Sequence, residues 1–382
     1  MQKICVRQAL AGQTGFHTSS DLAPLGHLLP QGEKGLSRRA LLASSLALAA
    51  CGQTEAAPTL AATPLKSIAP FPIGTAAMAG QFDDPAWVDL ALTHVSQLTP
   101  EWEMKMEYIL DRPGRYRWDA PDRIADFCTA HELRLHGHAL IWYSQGADQF
   151  AGLDRPAFIT GFDDYIAAVA SRYRGRVVGW DVVNEAVAED GNGLRDCHWS
   201  AVLGQDGYIA RAFELAKSAD PDAILFLNDY NLENNPTKGA TFLRLVERLL
   251  KAGVPVGGLG TQSHLDIEIP AGQTTAFIRE AAAFGLPIHV SELDASLRSD
   301  GRIDTRSRQT RLNQQTARVA ELAEAFVALP AAQRYGFTVW GLRDTDSWLR
   351  RDARDDGKDS PLLFDASGRP NPMFGAVSAA LS

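Results

Sequence analysis

Short apolar runs alternate with amphipathic stretches along the chain from about residue 71. Eight of the apolar runs have the length and composition of buried strands, and they cover residues 71–76, 96–101, 133–142, 176–184, 223–229, 257–264, 287–292 and 336–342. The stretches between them repeat apolar residues at helical spacing and cover residues 85–95, 120–132, 161–173, 206–219, 238–253, 275–285 and 308–329. Strands that alternate with helices form parallel βαβ units. Eight such units predict a (β/α)8 TIM barrel that makes a single domain.

Polar and aromatic side chains cluster where these predicted strands end. In a (β/α)8 barrel the carboxyl ends of the strands meet at one face, and that face carries the active site. Packing does not explain so many such side chains at one edge, so the sequence predicts a catalytic face. The residues at these ends are Glu101, His138, Asn184, Glu185, Asn228, Gln262, His264, Glu292 and Trp340.

Glu185 and Glu292 are carboxyls at the ends of two strongly apolar runs among these predicted strands. Burying such a carboxyl is costly unless it is paired, and a salt bridge to a neighbouring Arg or Lys is the simplest explanation for either one alone. Two carboxyls in the same relative position are instead the acid/base and nucleophile that a glycosidase needs. Carboxyls about 5 Å apart would make the enzyme retaining, whereas about 6.5–9.5 Å would make it inverting.

His264 and Asp294 are placed to support the second glutamate. His264 ends a predicted strand, and Asp294 lies two residues beyond Glu292, which puts both carboxylates on one face of the strand. A histidine that donates to a nucleophilic carboxylate, and is itself held by an aspartate, keeps that carboxylate ionised and oriented.

Tryptophans lie in or near several predicted strand ends. Aromatic faces at a barrel mouth stack on sugar rings, and we expect this of Trp142, Trp340 and Trp348, the last two of which flank the polar loop GLRDTDS. Trp180 lies inside a strand and is expected in the core instead.

A metal site is the competing interpretation. His136 and His138 alternate in one strand, so both imidazoles point the same way, and further ligands could complete an amidohydrolase-type site from His264, His289 and Asp344. Two observations argue against it. No Lys follows the fourth strand, and His289 alternates in the wrong phase to face inward with Glu292. We therefore expect neither a metal nor a cofactor, since a phosphate-binding Gly-rich loop is also lacking.

The composition is that of an ordinary globular protein. The chain has 382 residues, 45% of them hydrophobic, with a formal net charge of −9. Because basic residues form no stripe interleaved with aromatics, we expect no nucleic-acid partner. We also expect the protein to be a monomer. Cys128 and Cys197 fit either one bridge or two free thiols.

Residues 1–51 have the pattern of an export signal. A twin-arginine pair, Arg38 and Arg39, precedes an apolar run that is too short to span a membrane and ends in LAAC at Cys51. We expect an exported lipoprotein, periplasmic or on the cell surface, that touches the membrane only through a lipid on Cys51; an ordinary signal peptide with a chance cysteine is the alternative. Residues 52–68 are expected to be a flexible tether, and residues 69–382 the catalytic domain.

Eight short motifs follow one another with characteristic order and spacing. They are TPEWEMK (99–105), HGHALIWYSQ (136–145), WDVVNEA (180–186), LNDYN (227–231), GTQSHL (260–265), SELD (291–294), VWGLRDTDSW (339–348) and PLLFD (361–365). In this the chain resembles the glycoside hydrolase family 10 β-xylanases. The resemblance implies a (β/α)8 barrel and a retaining endo-1,4-β-xylanase acting on xylan or xylo-oligosaccharides, with Glu185 as acid/base and Glu292 as nucleophile.

The resemblance also implies roles for other site residues. His264 and Asp294 support the nucleophile, while Asn184 and Gln262 bind the sugar next to the cleaved bond, with Asn184 on its 2-hydroxyl. Glu101 reaches the next sugar outward. The remaining substrate-binding residues that it implies are Lys105, His138, Trp142, Tyr230, Trp340 and Trp348.

The chain departs from the family pattern on the glycone side of the site, which binds the part of the substrate that stays on the enzyme when the bond is cleaved. Trp102 stands where the family usually has Asn, Met106 where it has Trp, and Tyr143 where it often has His. We expect these changes to narrow or reshape the outer glycone subsite. Two other functions stay open: another retaining β-glycanase or an exo-acting enzyme, and a non-catalytic xylan-binding lipoprotein.

Overall fold

The computed structural model describes residues 62–298, 304–351 and 357–382, which all belong to one compact unit, Leu60–Ser382. The predicted export signal at residues 1–51 and most of the predicted tether lie outside these ranges. Within them, no helix combines the length and the apolar character that crossing a bilayer requires.

Eight parallel strands close a barrel within the described residues. Each strand pairs with the next along the chain, and the last pairs with the first. A separate antiparallel pair, Leu110–Arg112 with Arg115–Tyr116, lies outside the barrel. The barrel strands are β1 (Ile73–Ala77), β2 (Gln97–Pro100), β3 (Arg134–Trp142), β4 (Val177–Asn184), β5 (Ile224–Asp229), β6 (Gly258–Thr261), β7 (Ile288–Leu293) and β8 (Arg334–Val339).

All eight predicted strands are confirmed, although β8 lies slightly earlier than residues 336–342. The seven predicted helices are present too, at Pro85–His94, Asp119–Ala130, Arg155–Arg172, Gln205–Ala219, Pro236–Lys251, Gln273–Ala282 and Arg308–Val327. The (β/α)8 barrel is therefore the fold that the sequence predicted.

The sequence did not predict four further helices, at Leu65–Ile68, Met106–Ile109, His198–Leu203 and Pro372–Leu381. Three of them are too short to show a helical repeat. The helix Arg155–Arg172 also begins six residues before the predicted range. Its start is marked by Asp154, whose side chain accepts a hydrogen bond of 2.9 Å from the amide of Ala157.

The helix Leu65–Ile68 lies within the range 52–68 that the sequence assigned to a tether. Leu65 is buried in the apolar core. The folded part therefore includes Leu65, and the predicted boundary at residue 69 was placed too late.

An apolar core joins the barrel strands to the helices that surround them. Apolar strand residues such as Leu135, Val182 and Leu227 join the core that the surrounding helices cover. Trp180 is fully buried in this core, as predicted. Cys128 and Cys197 are both free thiols, so of the two alternatives that the sequence left open, the structure has the unbridged one.

Candidate active site

The carboxyl ends of the barrel strands surround a cavity of about 250 Å³. All the predicted site residues line this cavity except His138, Asn184 and Asp294, and each of these three contacts a residue that does. The structure thus brings the whole predicted set together. The lining residues are Glu101, Trp102, Lys105, Trp142, Glu185, Tyr230, Gln262, His264, Glu292, Trp340 and Trp348.

Glu185 follows β4 directly and has a left-handed backbone, with φ of 62°. A non-glycine residue in this region is strained and persists only where its surroundings hold it. Its amide donates to the carbonyl of Asn228 at 2.8 Å, and its carbonyl accepts a 3.2 Å hydrogen bond from Nε of Arg195. The strained turn aims the carboxyl into the cavity.

Three side-chain amides connect the two glutamates. Asn184 and Gln262 each donate to Oε1 of Glu185 at 3.1 Å. Asn228 donates from Nδ2 to the Asn184 side chain and to Oε1 of Glu292, both at 2.9 Å. The carboxyls are therefore oriented by one hydrogen-bonded network, in which Asn228 is the central member.

Gly260 in β6 makes room for this network. A Cβ at this position would lie 2.3 Å from Oδ1 of Asn228, which is far inside van der Waals contact. Ser291 donates to the same Oδ1 at 2.7 Å and fixes which way the amide faces. The sequence placed Asn228 at a strand end but assigned it no role.

Cationic groups surround Glu292. Burial alone would raise the pKa of this carboxyl, but His138, His264 and Lys105 outweigh that effect and the pKa is lowered. His264 lies 3.4 Å from Oε2 of Glu292 through Nε2, and 2.9 Å from Oδ1 of Asp294 through Nδ1. Glu292 is therefore held as an ionised carboxylate, as the chemistry of a nucleophile requires.

His264 keeps its charge because it lies between these two carboxylates. Burial alone would lower its pKa, but the charges and hydrogen bonds of Asp294 and Glu292 raise it to about 10. The indole of Trp348 donates to Oδ2 of Asp294 at 2.9 Å, which orients the aspartate. His264 therefore contacts both Glu292 and Asp294, which is the arrangement that the sequence predicted.

Asp181 is a buried carboxylate that the sequence did not single out. Its Oδ2 lies 2.8 Å from Nδ1 of His138, and its Oδ1 lies 3.1 Å from Nε2 of His136. Burial alone would raise the pKa of Asp181, but the two histidines lower it well below its usual range. Asp181 thereby orients His138, whose Nδ1 is also 3.9 Å from Oε1 of Glu292.

The phase assigned to His289 was wrong. In the β7–β8 pairing, Val290 and Leu293 oppose Phe337 and Val339, so β7 carries an extra residue between its paired positions. This bulge resets the alternation of side chains. His289 therefore lies inside the barrel, with its ring 4.4 Å from that of His136, although Glu292 also points inward.

Within the described residues, one group, His136, Asp181 and His289, has metal-ligating atoms within 4.8 Å of one another. It differs from the set that the metal interpretation named, because His138, His264 and Asp344 do not belong to it. Its members already bind one another and the hydroxyls of Tyr335 and Thr338. We interpret it as a hydrogen-bonded network beneath the cavity.

The ammonium group of Lys105 lies near three aromatic rings of the cavity wall. Its Nζ lies 4.6 Å from the Trp102 ring centre, 4.8 Å from that of Trp142 and 5.8 Å from that of Trp340. A cation over aromatic faces holds them in place. His138 packs edge-on against Trp340 at 5.1 Å. These residues form a pocket with apolar faces and polar edges, which suits a sugar ring.

Arg195 organises the side of the cavity next to Glu185, and the sequence did not identify it. Besides holding the Glu185 carbonyl, it donates to the hydroxyl of Tyr230 at 3.0 Å and stacks 3.9 Å from the ring centre of Tyr143. The Tyr230 hydroxyl donates to Glu189. Arg195 lies in an irregular loop, where no periodic pattern marks a residue as functional.

Comparison with known proteins identifies a family and several similar proteins. The model of the family described as Glycosyl hydrolase family 10 matches residues 65–380. An endo-1,4-beta-xylanase of Geobacillus stearothermophilus is 34% identical over 304 residues, which cover 75% of this chain and 89% of that protein. The protein named Exoglucanase XynX of Acetivibrio thermocellus is 31% identical over 323 residues, covering 81% of this chain and 28% of that protein.

A solved structure has the same fold. The xylanase Xyn10A of Cellvibrio japonicus, in a thermostable mutant form, superposes with a TM-score of 0.76 at 32% identity, covering 83% of this chain and 99% of that one. Some curated relatives are much longer than this chain, which covers between 26% and 56% of the first four.

Proposed function

Because the chain belongs to glycosyl hydrolase family 10, we propose that it is a retaining endo-1,4-β-xylanase that hydrolyses the β-1,4 bonds of xylan. The observation that carries the proposal is the pairing of two differently held carboxyls at one cavity. Glu292 is kept ionised by His264, His138 and Lys105, while the hydrogen-bond donors to the Glu185 carboxyl among the described residues are the neutral side-chain amides of Asn184 and Gln262. One carboxyl is thus prepared for attack and the other for proton transfer.

The reaction takes two steps. Glu292 attacks the anomeric carbon while Glu185 gives its proton to the oxygen of the leaving sugar, so the glycosidic bond breaks as the glycosyl–enzyme ester forms. Water then attacks the same carbon, Glu185 takes its proton, and the ester to Glu292 breaks. Asn184 donates to Glu185 and accepts a hydrogen bond from Asn228, which also donates to Glu292. We expect Asn184 to hold a sugar hydroxyl at the reacting ring.

The test is to measure initial rates on an aryl β-xylobioside and an aryl β-cellobioside, with the wild type beside Glu292→Ala, each with and without EDTA. The proposal predicts that the wild type turns over the xylobioside at the same rate with and without EDTA, and that Glu292→Ala does not turn it over. No turnover of either substrate by the folded wild type would contradict it and would favour a xylan-binding role.

A second candidate, cleavage of β-glucan or exo-acting cleavage, is supported by the relative named Exoglucanase XynX. The barrel and the two glutamates do not determine the sugar. The same experiment separates cleavage of β-glucan from cleavage of xylan, since preference for the cellobioside would keep the mechanism and change the substrate.

We further propose that the protein is exported as a lipoprotein, with a lipid on Cys51, and that it acts as a monomer. The support is the twin-arginine pair followed by the apolar run and the LAAC ending. Cys51→Ala should move the full-length protein from the membrane fraction to the soluble fraction and abolish labelling with a radioactive fatty acid. Unchanged fractionation would contradict the anchor, and sedimentation of the released domain tests the monomer.

A further inference from the structure

The segments after β2 and β8 form part of the cavity wall, with Lys105 in the first and Trp340 and Trp348 in the second. Glu101 follows β2, and Arg351 lies in the segment after β8, close to Trp348. In the closed barrel β1 separates β2 from β8. Glu185 follows β4, which lies four strands from β8 and two strands from β2, so both segments lie away from Glu185. The general acid protonates the oxygen of the leaving sugar, so the leaving part of the substrate lies beside Glu185. The retained, glycone part therefore extends toward Glu101 and Arg351.

Arg351 holds both oxygens of Glu101. Its Nη1 donates to Oε1 at 2.7 Å, and its Nη2 donates to Oε2 at 3.1 Å and to the carbonyl of Asp346 at 2.6 Å. Two parallel bonds between a guanidinium and a carboxylate form the strongest arrangement of this pair. The Arg351 side chain is 35% exposed and that of Glu101 only 3%, so the arginine covers the carboxylate.

A sugar hydroxyl that approaches Glu101 must therefore compete with Arg351. The carboxylate can accept few further hydrogen bonds while the guanidinium is in place, and part of any new bond offsets a bond that is lost. Trp102 narrows the same wall, since it lies next to Glu101 along the chain and its ring packs 4.6 Å from Nζ of Lys105. The two features act on the same part of the cavity.

We propose that the ion pair between Arg351 and Glu101 is a latch across the glycone side of the cavity. The latch withholds Glu101 from the second glycone sugar, so that the enzyme holds its substrate mainly by the sugar next to the cleaved bond. The favoured substrates are short xylo-oligosaccharides with a short glycone part. This inference rests on the proposed function and adds a residue that determines its specificity.

The experiment compares kcat/KM on an aryl β-xyloside and an aryl β-xylobioside, which differ by the second glycone sugar. The ratio of xylobioside to xyloside should rise about tenfold in Arg351→Met, because one hydrogen bond to a charged carboxylate becomes available to the sugar. Arg369→Met is the matched control, since it removes an exposed arginine paired with Asp365 and should leave the ratio unchanged.

A second variant shows whether the effect runs through Glu101. Glu101→Gln should lower the ratio strongly in the Arg351→Met background but only slightly in the wild type. Arg351→Lys keeps the charge but cannot hold both oxygens in parallel, so it should give an intermediate ratio and serves if Arg351→Met fails to fold.

Two different results distinguish a failure of the latch from a failure of the proposed function. An Arg351 variant that turns over the xyloside but has an unchanged or lower ratio would overturn the latch and leave the proposed function in place. Folded wild type that turns over neither substrate would overturn the proposed function and this inference with it.

Discussion

His264 places Nε2 at 3.4 Å from Oε2 of Glu292, and its other ring nitrogen lies 2.9 Å from Asp294. The two carboxylates raise the pKa of His264 to about 10 against the effect of burial. In turn, His138 and His264 help to lower the pKa of Glu292. Glu292 and His264 therefore hold their opposite charges together over the neutral pH range.

This pairing makes a prediction about stability and pH. Because folding raises the pKa of His264 from its ordinary value of 6.5 to about 10, its contribution is complete below about pH 6.5 and declines as the pH rises to about 10. The difference in free energy of unfolding between the wild type and His264→Asn should therefore shrink over this range. Urea unfolding at several pH values measures it. A difference that stays constant from pH 6.5 to 10 would show that His264 is neutral when folded.

A second prediction concerns Arg195, which holds the carbonyl of Glu185 at its strained turn. Arg195→Met should impair proton transfer to the leaving group. We expect kcat/KM on phenyl β-xylobioside to fall about tenfold, the effect of one hydrogen bond to a charged group. The 2,4-dinitrophenyl substrate needs little acid assistance and should lose much less. Equal losses on both substrates would mean that Arg195 has only a structural role.

The buried carboxylate beneath the cavity gives a third prediction. Asp181→Asn leaves two buried histidines without their ionic partner and should lower the free energy of unfolding by about 3–5 kcal/mol. Asp126→Asn is the matched control, because Asp126 is 73% exposed and pairs with Arg176 at the surface. The control should cost at most about 1 kcal/mol. Equal stability of the two variants in denaturant titrations would refute this role for Asp181.

A fourth prediction tests the acid/base. Glu185→Ala should still form the glycosyl–enzyme with a dinitrophenyl β-xylobioside, but it lacks the base that activates water. Azide needs no such base, so it should restore turnover and yield the β-glycosyl azide. Glu292→Ala under the same conditions should not give the β-azide. Failure of azide to rescue Glu185→Ala would count against Glu185 as the acid/base.

The barrel and the two glutamates proposed as catalytic could be predicted from the sequence because each rests on a local pattern. Apolar runs mark the strands, and a polar residue at the end of a run stands out, as Glu185 and Glu292 do. His264 followed from its place at a strand end, and Asp294 from alternation along the strand that carries Glu292. These signals depend on a few neighbouring residues, which the sequence displays directly.

The remaining site features depend on contacts between distant residues. Arg195 and Arg351 lie in irregular segments and reach their partners through long side chains, so no spacing marks them. The bulge in β7 shifts His289 to the barrel interior, yet the run IHVSEL reads as a regular strand. Asp181 sits inside an apolar run, and only the packing of β3 against β4 reveals its two histidine partners.

The most direct test of the central claim is to label the nucleophile with dinitrophenyl 2-deoxy-2-fluoro-β-xylobioside. The fluorine slows both steps, and the good leaving group lets the covalent intermediate accumulate. After protease digestion, mass spectrometry should find the fluoroxylobiosyl group on Glu292, and Glu292→Ala should stay unlabelled. A label on another carboxyl, or turnover of xylobiosides without any covalent intermediate, would contradict the assignment of Glu292 as the nucleophile.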